Sequence, residues 1–144
     1  MKKSITLLML LFLLLTLSAC GSNTSSKSPA STPPMEVKTE EIIDDYIRDQ
    51  ASAEQKYKDK NIKLTGKVIR KGQFENTSHF FINTGIKHAS GKTYIMMVDY
   101  PTDKVNDVNS VKVDDFLVVE GKVVGIVPQK DPTIISIQMK VNSK

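Results

Sequence analysis

Apolar and polar residues alternate along Asn61-Ile62-Lys63-Leu64-Thr65-Gly66-Lys67-Val68-Ile69, and the alternation returns along Phe116-Leu117-Val118-Val119-Glu120-Gly121-Lys122-Val123-Val124. With Gly66 set on Gly121, Leu64 falls on Val119, Lys67 on Lys122 and Val68 on Val123. A period of two predicts strands, the first over 62–71 with Ile62, Leu64 and Val68 on one face and Lys63, Thr65 and Lys67 on the other. Gly66 falls on the inward row, where a glycine weakens a plain strand and marks a bulge or bend. The same pattern predicts strands over 79–83, 92–100, 116–127 and 133–141. Gly72 with 75–78, the polar loop 85–91, Pro101 and the Pro128–Pro132 run supply the turns between them. Residues 103–110 are polar apart from Val105 and Val108 and fit a loop with one or two helical turns.

The period changes ahead of the first strand. Ile42, Ile43, Tyr46, Ile47, Ala53 and Tyr57 recur at helical spacing, opposite Asp44, Asp45, Arg48, Asp49 and Glu54. This predicts one amphipathic helix over 40–57, packed on the domain through Ile43, Ile47 and Tyr57. Thr39 reads as its N-cap, and Glu40 and Glu41 sit where the helix dipole favours negative charge. The expected architecture is therefore all-β with a leading α-helix. Two long strands, each with a central glycine, suit a closed five-stranded barrel, which needs such corners.

The first residues follow other rules. Met1-Lys2-Lys3 is positive, Ile5 to Leu17 is a nearly unbroken apolar run, and Leu17-Ser18-Ala19-Cys20-Gly21 ends it. The run is short for a bilayer span and suits a signal peptide over 1–19. Its end resembles the lipobox of bacterial lipoproteins, which implies that Cys20 becomes the first residue and carries a diacylglycerol thioether. A tether to the outer face of the cell membrane is then expected, since several acyl chains hold where one does not. Residues 20–38 read as the lipidated cysteine and a disordered Ser/Pro linker, and 39–144 as the folded domain.

Composition narrows the function further. The full chain has 144 residues and a formal charge of +4, and loss of Lys2 and Lys3 with the signal lowers that by two. Such a charge gives no general case for nucleic acid. Cys20 is the only cysteine, so the domain forms no internal disulfide. His79 and His88 are the only histidines, and no metal-ligand spacing surrounds them. Asp103, Asp107, Asp114 and Asp115 lack calcium-loop spacing, and no nucleophile elbow or phosphate-cradling glycine loop is present. The expectation is a non-enzymatic protein without cofactor or metal.

Ala51-Ser52-Ala53-Glu54-Gln55-Lys56-Tyr57-Lys58-Asp59-Lys60, followed by Leu64-Thr65-Gly66-Lys67-Val68, resembles the tRNA-anticodon-domain-like (tRNA_anti-like) family of OB-fold proteins, common among bacterial lipoproteins and secreted proteins. The resemblance spans roughly 40–141 and implies a five-stranded OB-fold-like barrel. It departs at Asp59, where the family usually has glycine; aspartate is among the few residues that tolerate a left-handed turn. It transfers no catalytic residue. OB barrels bind oligonucleotides, oligosaccharides or protein segments across their second and third strands and adjoining loops. On that frame the candidate ligand face is Lys67, Phe81 and Tyr94, with Lys71 and Lys92 in nearby turns. Aromatic rings among cations can stack bases or sugars. Outside the cell, an envelope protein or peptide is the first expected partner, an oligosaccharide or anionic wall polymer the second, and single-stranded nucleic acid the least favoured.

Overall fold

The computed structural model describes residues 33–142 apart from Asn76 and Ser78. The expected signal peptide, Cys20 and the expected linker as far as Thr32 lie outside the described residues.

In place of a single leading helix, the domain opens with a strand and two helices. Strand β1 (Met35–Lys38) runs parallel to β2 (Asn61–Lys67) and turns Val37 into the core. The linker expected to reach Lys38 therefore gives way to structure at Met35. Helix α1 (Thr39–Arg48) buries Ile42, Ile43 and Tyr46. Each such side chain contributes about 1.5–3 kcal/mol when fully removed from water. Helix α2 (Gln50–Tyr57) adds Ala53 and Tyr57. Asp49 breaks the expected helix: its backbone is extended, and its carboxylate accepts from the N–H groups of Ala51 and Ser52. An aspartate that can satisfy two orphan donors competes successfully with one more helical turn. Thr39 is not a cap; its hydroxyl meets that of Thr84 at 2.8 Å in a buried contact.

Seven strands form one sheet in the order β1-β2-β6-β7-β5-β4-β3, where β3 is Arg70–Gln73, β4 Phe80–Ala89, β5 Lys92–Tyr100, β6 Phe116–Val127 and β7 Ile134–Val141. A short 3-10 turn (Thr102–Lys104) and helix α3 (Val105–Ser110) link β5 to β6. The hydrogen-bonded order is open, ending at β1 and β3, in place of five strands closing a barrel.

The expected first strand is split at Val68-Ile69. Val68 exchanges backbone hydrogen bonds with Asp114 and Asp115 just ahead of β6, whereas the Ile69 N–H reaches Asn83 of β4. In a flat sheet β2 and β3 would stand roughly 24 Å apart. The three residue steps from Lys67 to Arg70 span at most about 11 Å. The sheet must therefore curl strongly, and Val68-Ile69 is the corner.

The glycines chosen as bends act otherwise. A Cβ on Gly66 would lie 2.1 Å from the Thr39 hydroxyl oxygen and 2.9 Å from Thr84 Cβ. One on Gly121 would lie 2.2 Å from the Lys140 carbonyl oxygen. Both admit close packing, of α1 and of β7. The kink in β6 falls at Gly125, whose φ is +104° at a register shift against β7. The departure from glycine at Asp59 is absorbed in a left-handed turn, φ +62°.

The core lies between the helices and the inward rows of the sheet, with Ile62, Leu64, Val68, Ile82, Met96, Val98, Val123, Ile137 and Met139 fully buried. Because side chains alternate, placing Ile82, Met96 and Val98 inward sends His79, Phe81 and Asn83 of the β4 run, and Ile95, Met97 and Asp99 of β5, to the opposite face.

Candidate functional site

That opposite face carries a cleft of about 780 Å³ over β3, β4, β5 and β7, walled by the β3–β4 and β6–β7 loops. Its centre is aromatic. The Phe81 ring lies over Gly72, where an added Cβ would come within 2.9 Å of the ring's far end. Phe74 meets the same ring at 5.1 Å between centroids, and the Arg70 guanidinium stands 5.7 Å from its centre. A half-buried ring with an open edge and a cation nearby is a general stacking surface.

Directly across from Phe81 sits Asp99. It is only 6% exposed, and its carboxylate is held by His79 Nδ1 at 3.0 Å and by Gln138 Nε2 at 3.1 Å. A buried carboxylate is tolerated when such partners meet it. Two residue pairs along, on the same face, Asn83 faces Met97 and is 9% exposed. Its Oδ1 is buried without a hydrogen-bond partner among the described residues. Arg70 and Lys130 are the cations lining the cleft, against the carboxylates of Glu75, Asp99 and Asp131. The Thr133 hydroxyl donates to Asp131 and holds that carboxyl below its usual range.

Among the five residues of the expected ligand face, the structure brings Phe81 into the cleft. Lys71 turns away and caps α3, donating to the carbonyls of Val108 at 3.1 Å and Val111 at 2.5 Å, as cations do at helix C-termini. Lys67 pairs with Asp114 at 2.7 Å beside the corner. Tyr94 lies on the inward row, packed against the core, and Lys92, expected in a turn, is exposed as the first residue of β5. The expected face thus does not assemble as one surface. His79 is about half exposed and is engaged with Asp99. Arg70, Asn83, Asp99 and Gln138 were not anticipated. The signal that finds them is the alternation itself: once Ile82 and Val98 point inward, their neighbours must line the other face.

Three His, Cys, Asp or Glu side chains do not converge anywhere among the described residues in a way that could hold a metal ion. The cleft holds the His79–Asp99 pair, and among the described residues no hydroxyl or thiol is bonded to that imidazole in the cleft. The groups placed there can stack and hydrogen-bond.

The model of the tRNA_anti-like family matches residues 1–138. No curated protein matches the chain. Among solved structures, a lipoprotein of Klebsiella pneumoniae subsp. pneumoniae, provisionally named as nucleic acid-binding, is similar with a TM-score of 0.53 at 16% identity, over 76% of this chain and 92% of that one. A provisionally named aspartyl-tRNA synthetase of Leishmania major Friedlin gives a TM-score of 0.47 at 12% identity, over 80% of this chain and 21% of that one.

Proposed function

The chain belongs to the tRNA_anti-like family, and from that premise we propose that it is a lipid-anchored, non-enzymatic binding module of the cell envelope that takes a protein or peptide segment in the cleft around Phe81. The observation that carries this reading is the makeup of the cleft. Aromatic rings and side-chain amides line it, and its carboxylates outnumber its cations. A phosphate backbone needs converging lysines and arginines to replace its counterions. An extended peptide needs a stacking wall, amide partners and room, and the cleft supplies these. The name of the Klebsiella lipoprotein keeps nucleic acid as a reading to be tested, and an oligosaccharide would also use Phe81 and the amides.

The anchor rests on Cys20 and the apolar run before it. Cys20→Ala should release the protein from the membrane fraction or leave it unprocessed; acylated, membrane-bound variant would remove this part of the reading. For the ligand, a photo-crosslinking amino acid at Gln73, on the cleft wall, should give a covalent adduct to an envelope protein in intact cells. The same group at Phe116, exposed at the start of β6 and outside the cleft lining, serves as the control. Adducts only to glycan, or salt-sensitive tight binding of single-stranded DNA by the purified chain, would overturn the peptide reading.

A further inference from the structure

The unpartnered oxygen in the cleft narrows what the ligand must carry. Asn83 is nine-tenths buried, yet its Oδ1 has no donor among the described residues. Such a group costs about 1–3 kcal/mol when it is left dry. Two other buried oxygens lack full hydrogen-bond geometry, the Tyr46 hydroxyl and Glu54 Oε2. Those two act on each other: burial first and the Glu54 carboxylate next push the Tyr46 hydroxyl well above its ordinary pKa. Asn83 has no comparable neighbour, and it lines the cleft.

Asp99 stands diagonally across the β4–β5 ladder from Asn83, on the same face. Diagonal neighbours are roughly 7–8 Å apart. His79 and Gln138 occupy part of the carboxylate, and an ionised carboxylate has about four acceptor positions. The floor between Asn83 and Asp99 therefore presents acceptors, with Phe81 on one side of the diagonal and Met97 on the other. An ammonium carries three donors and no acceptor, and a guanidinium five. Either spans such a gap, with its alkyl stem on Phe81 and Met97.

We infer that Asn83 and Asp99 form a subsite for a lysine or arginine side chain of the bound peptide. The inference rests on the peptide reading and adds to it a required charge. Asn83 is then a residue kept at some cost in stability for the partner it receives from the ligand.

The test uses the full chain purified in detergent and a set of Gly/Ser/Phe heptapeptides whose central residue is lysine, arginine, norleucine, glutamine or glutamate. Lysine and arginine peptides should bind at least about tenfold more tightly than the norleucine and glutamate ones, the worth of one charge-assisted hydrogen bond. Asn83→Leu, which removes the orphan acceptor at similar volume, should abolish that preference while the melting temperature holds or rises. Asn83→Asp, the nearly isosteric variant, should strengthen the lysine preference and covers the case in which Asn83→Leu does not fold. A lower melting temperature with the preference intact in Asn83→Leu would make Asn83 structural and overturn the inference. Peptides bound without regard to charge would overturn the subsite and leave the peptide reading standing. Binding of oligo-dT or chito-oligosaccharide with no peptide bound would overturn both.

Discussion

The helix side of the sheet and the cleft side both contain buried polar groups, but they settle them differently. Under the helices, Thr39 and Thr84 satisfy each other at 2.8 Å. Asp45 receives the Tyr57 hydroxyl at 2.6 Å, the Lys56 ammonium at 2.8 Å and Arg48. Glu54 Oε1 accepts from the Ile126 N–H at the β6 kink, tying α2 to the sheet. On the cleft side Asp99 is held, but by His79, which is itself half exposed, and Asn83 Oδ1 is not held at all. The glycines follow the same division. Gly66 makes room for a buried threonine that cannot move without losing a hydrogen bond, whereas Gly72 makes room for the far end of a ring at an open cleft. The helix side ties its polar groups to one another, and its two unbonded oxygens, the Tyr46 hydroxyl and Glu54 Oε2, still act on each other. The cleft side leaves interactions unfinished, as a surface that receives a ligand does.

If that division is real, the largest stability effect belongs to Gly66→Val. Its Cβ would overlap the Thr39 hydroxyl, and α1 would have to leave the sheet. The loss should be several kcal/mol, comparable with the whole stability of a small domain, and should appear as absence of a cooperative melt. A fully folded variant that had only lost a ligand would erase the distinction between the two sides.

Next in size is Asp45→Ala, which strands the buried Tyr57 hydroxyl and should cost about 3 kcal/mol by denaturant titration. Asp45 also sets a pH signature. Hydrogen bonds from Lys56 and Tyr57 hold its carboxyl below the usual range. Its folded pKa is thus lower than its unfolded one, near 3.9. The stabilisation is complete above the unfolded value and is lost as pH falls through the folded one. Asp45→Asn should flatten that part of the acid limb of stability, and an unchanged limb would mean that the Lys56 and Tyr57 contacts carry no energy.

Strands β2, β5, β6 and β7 were legible in the sequence because a period of two is strong over seven or more residues, as from Phe116 to Val124. By contrast, β4 runs on to Ala89 through most of the stretch expected as a loop, and Gly72, expected in a turn, lies inside β3. The inward row followed from the same alternation. Strand β1 was not legible: four residues with Val37 alone turned inward carry too little pattern beside a Ser/Pro-rich run. The corner escaped because glycine was taken as the mark of a bend. Here β-branched Val68 and Ile69 make the turn through their backbone partners, while Gly66 serves a neighbour 27 residues earlier in the chain. The site was legible only in Phe81. Lysines were weighted as ligand groups from sequence, yet Lys71 spends its charge on a helix end and Lys67 on Asp114, contacts that depend on the tertiary fold. A lone Asn83 looks like any strand asparagine until the groups around it are known.

A smaller effect separates the two helices. Asp49→Ala removes the acceptor for two α2 amides and should cost about 1 kcal/mol, shifting the melting midpoint by a few degrees without touching the cleft. A change in ligand affinity from this variant would couple the two sides.

A stability change no larger than this one is the most informative about the cleft. In Gly72→Ala the new methyl would meet the far end of the Phe81 ring, 2.9 Å away, and no backbone atom is among its nearest neighbours. The ring can swing outward at a rotamer cost of order 0.5–1.5 kcal/mol. The melting temperature should therefore move by no more than a few degrees. Such a swing changes the ring's place beside Phe74 and Arg70 in the cleft, so ligand affinity should fall more than stability does. The same single methyl at Gly66 meets a short, buried and hydrogen-bonded side chain and should do the reverse. Measuring both variants by melting and by peptide binding places two alanines, six residues apart, on opposite sides of the comparison; equal effects on stability would show that the cleft wall is packed as rigidly as the helix seam.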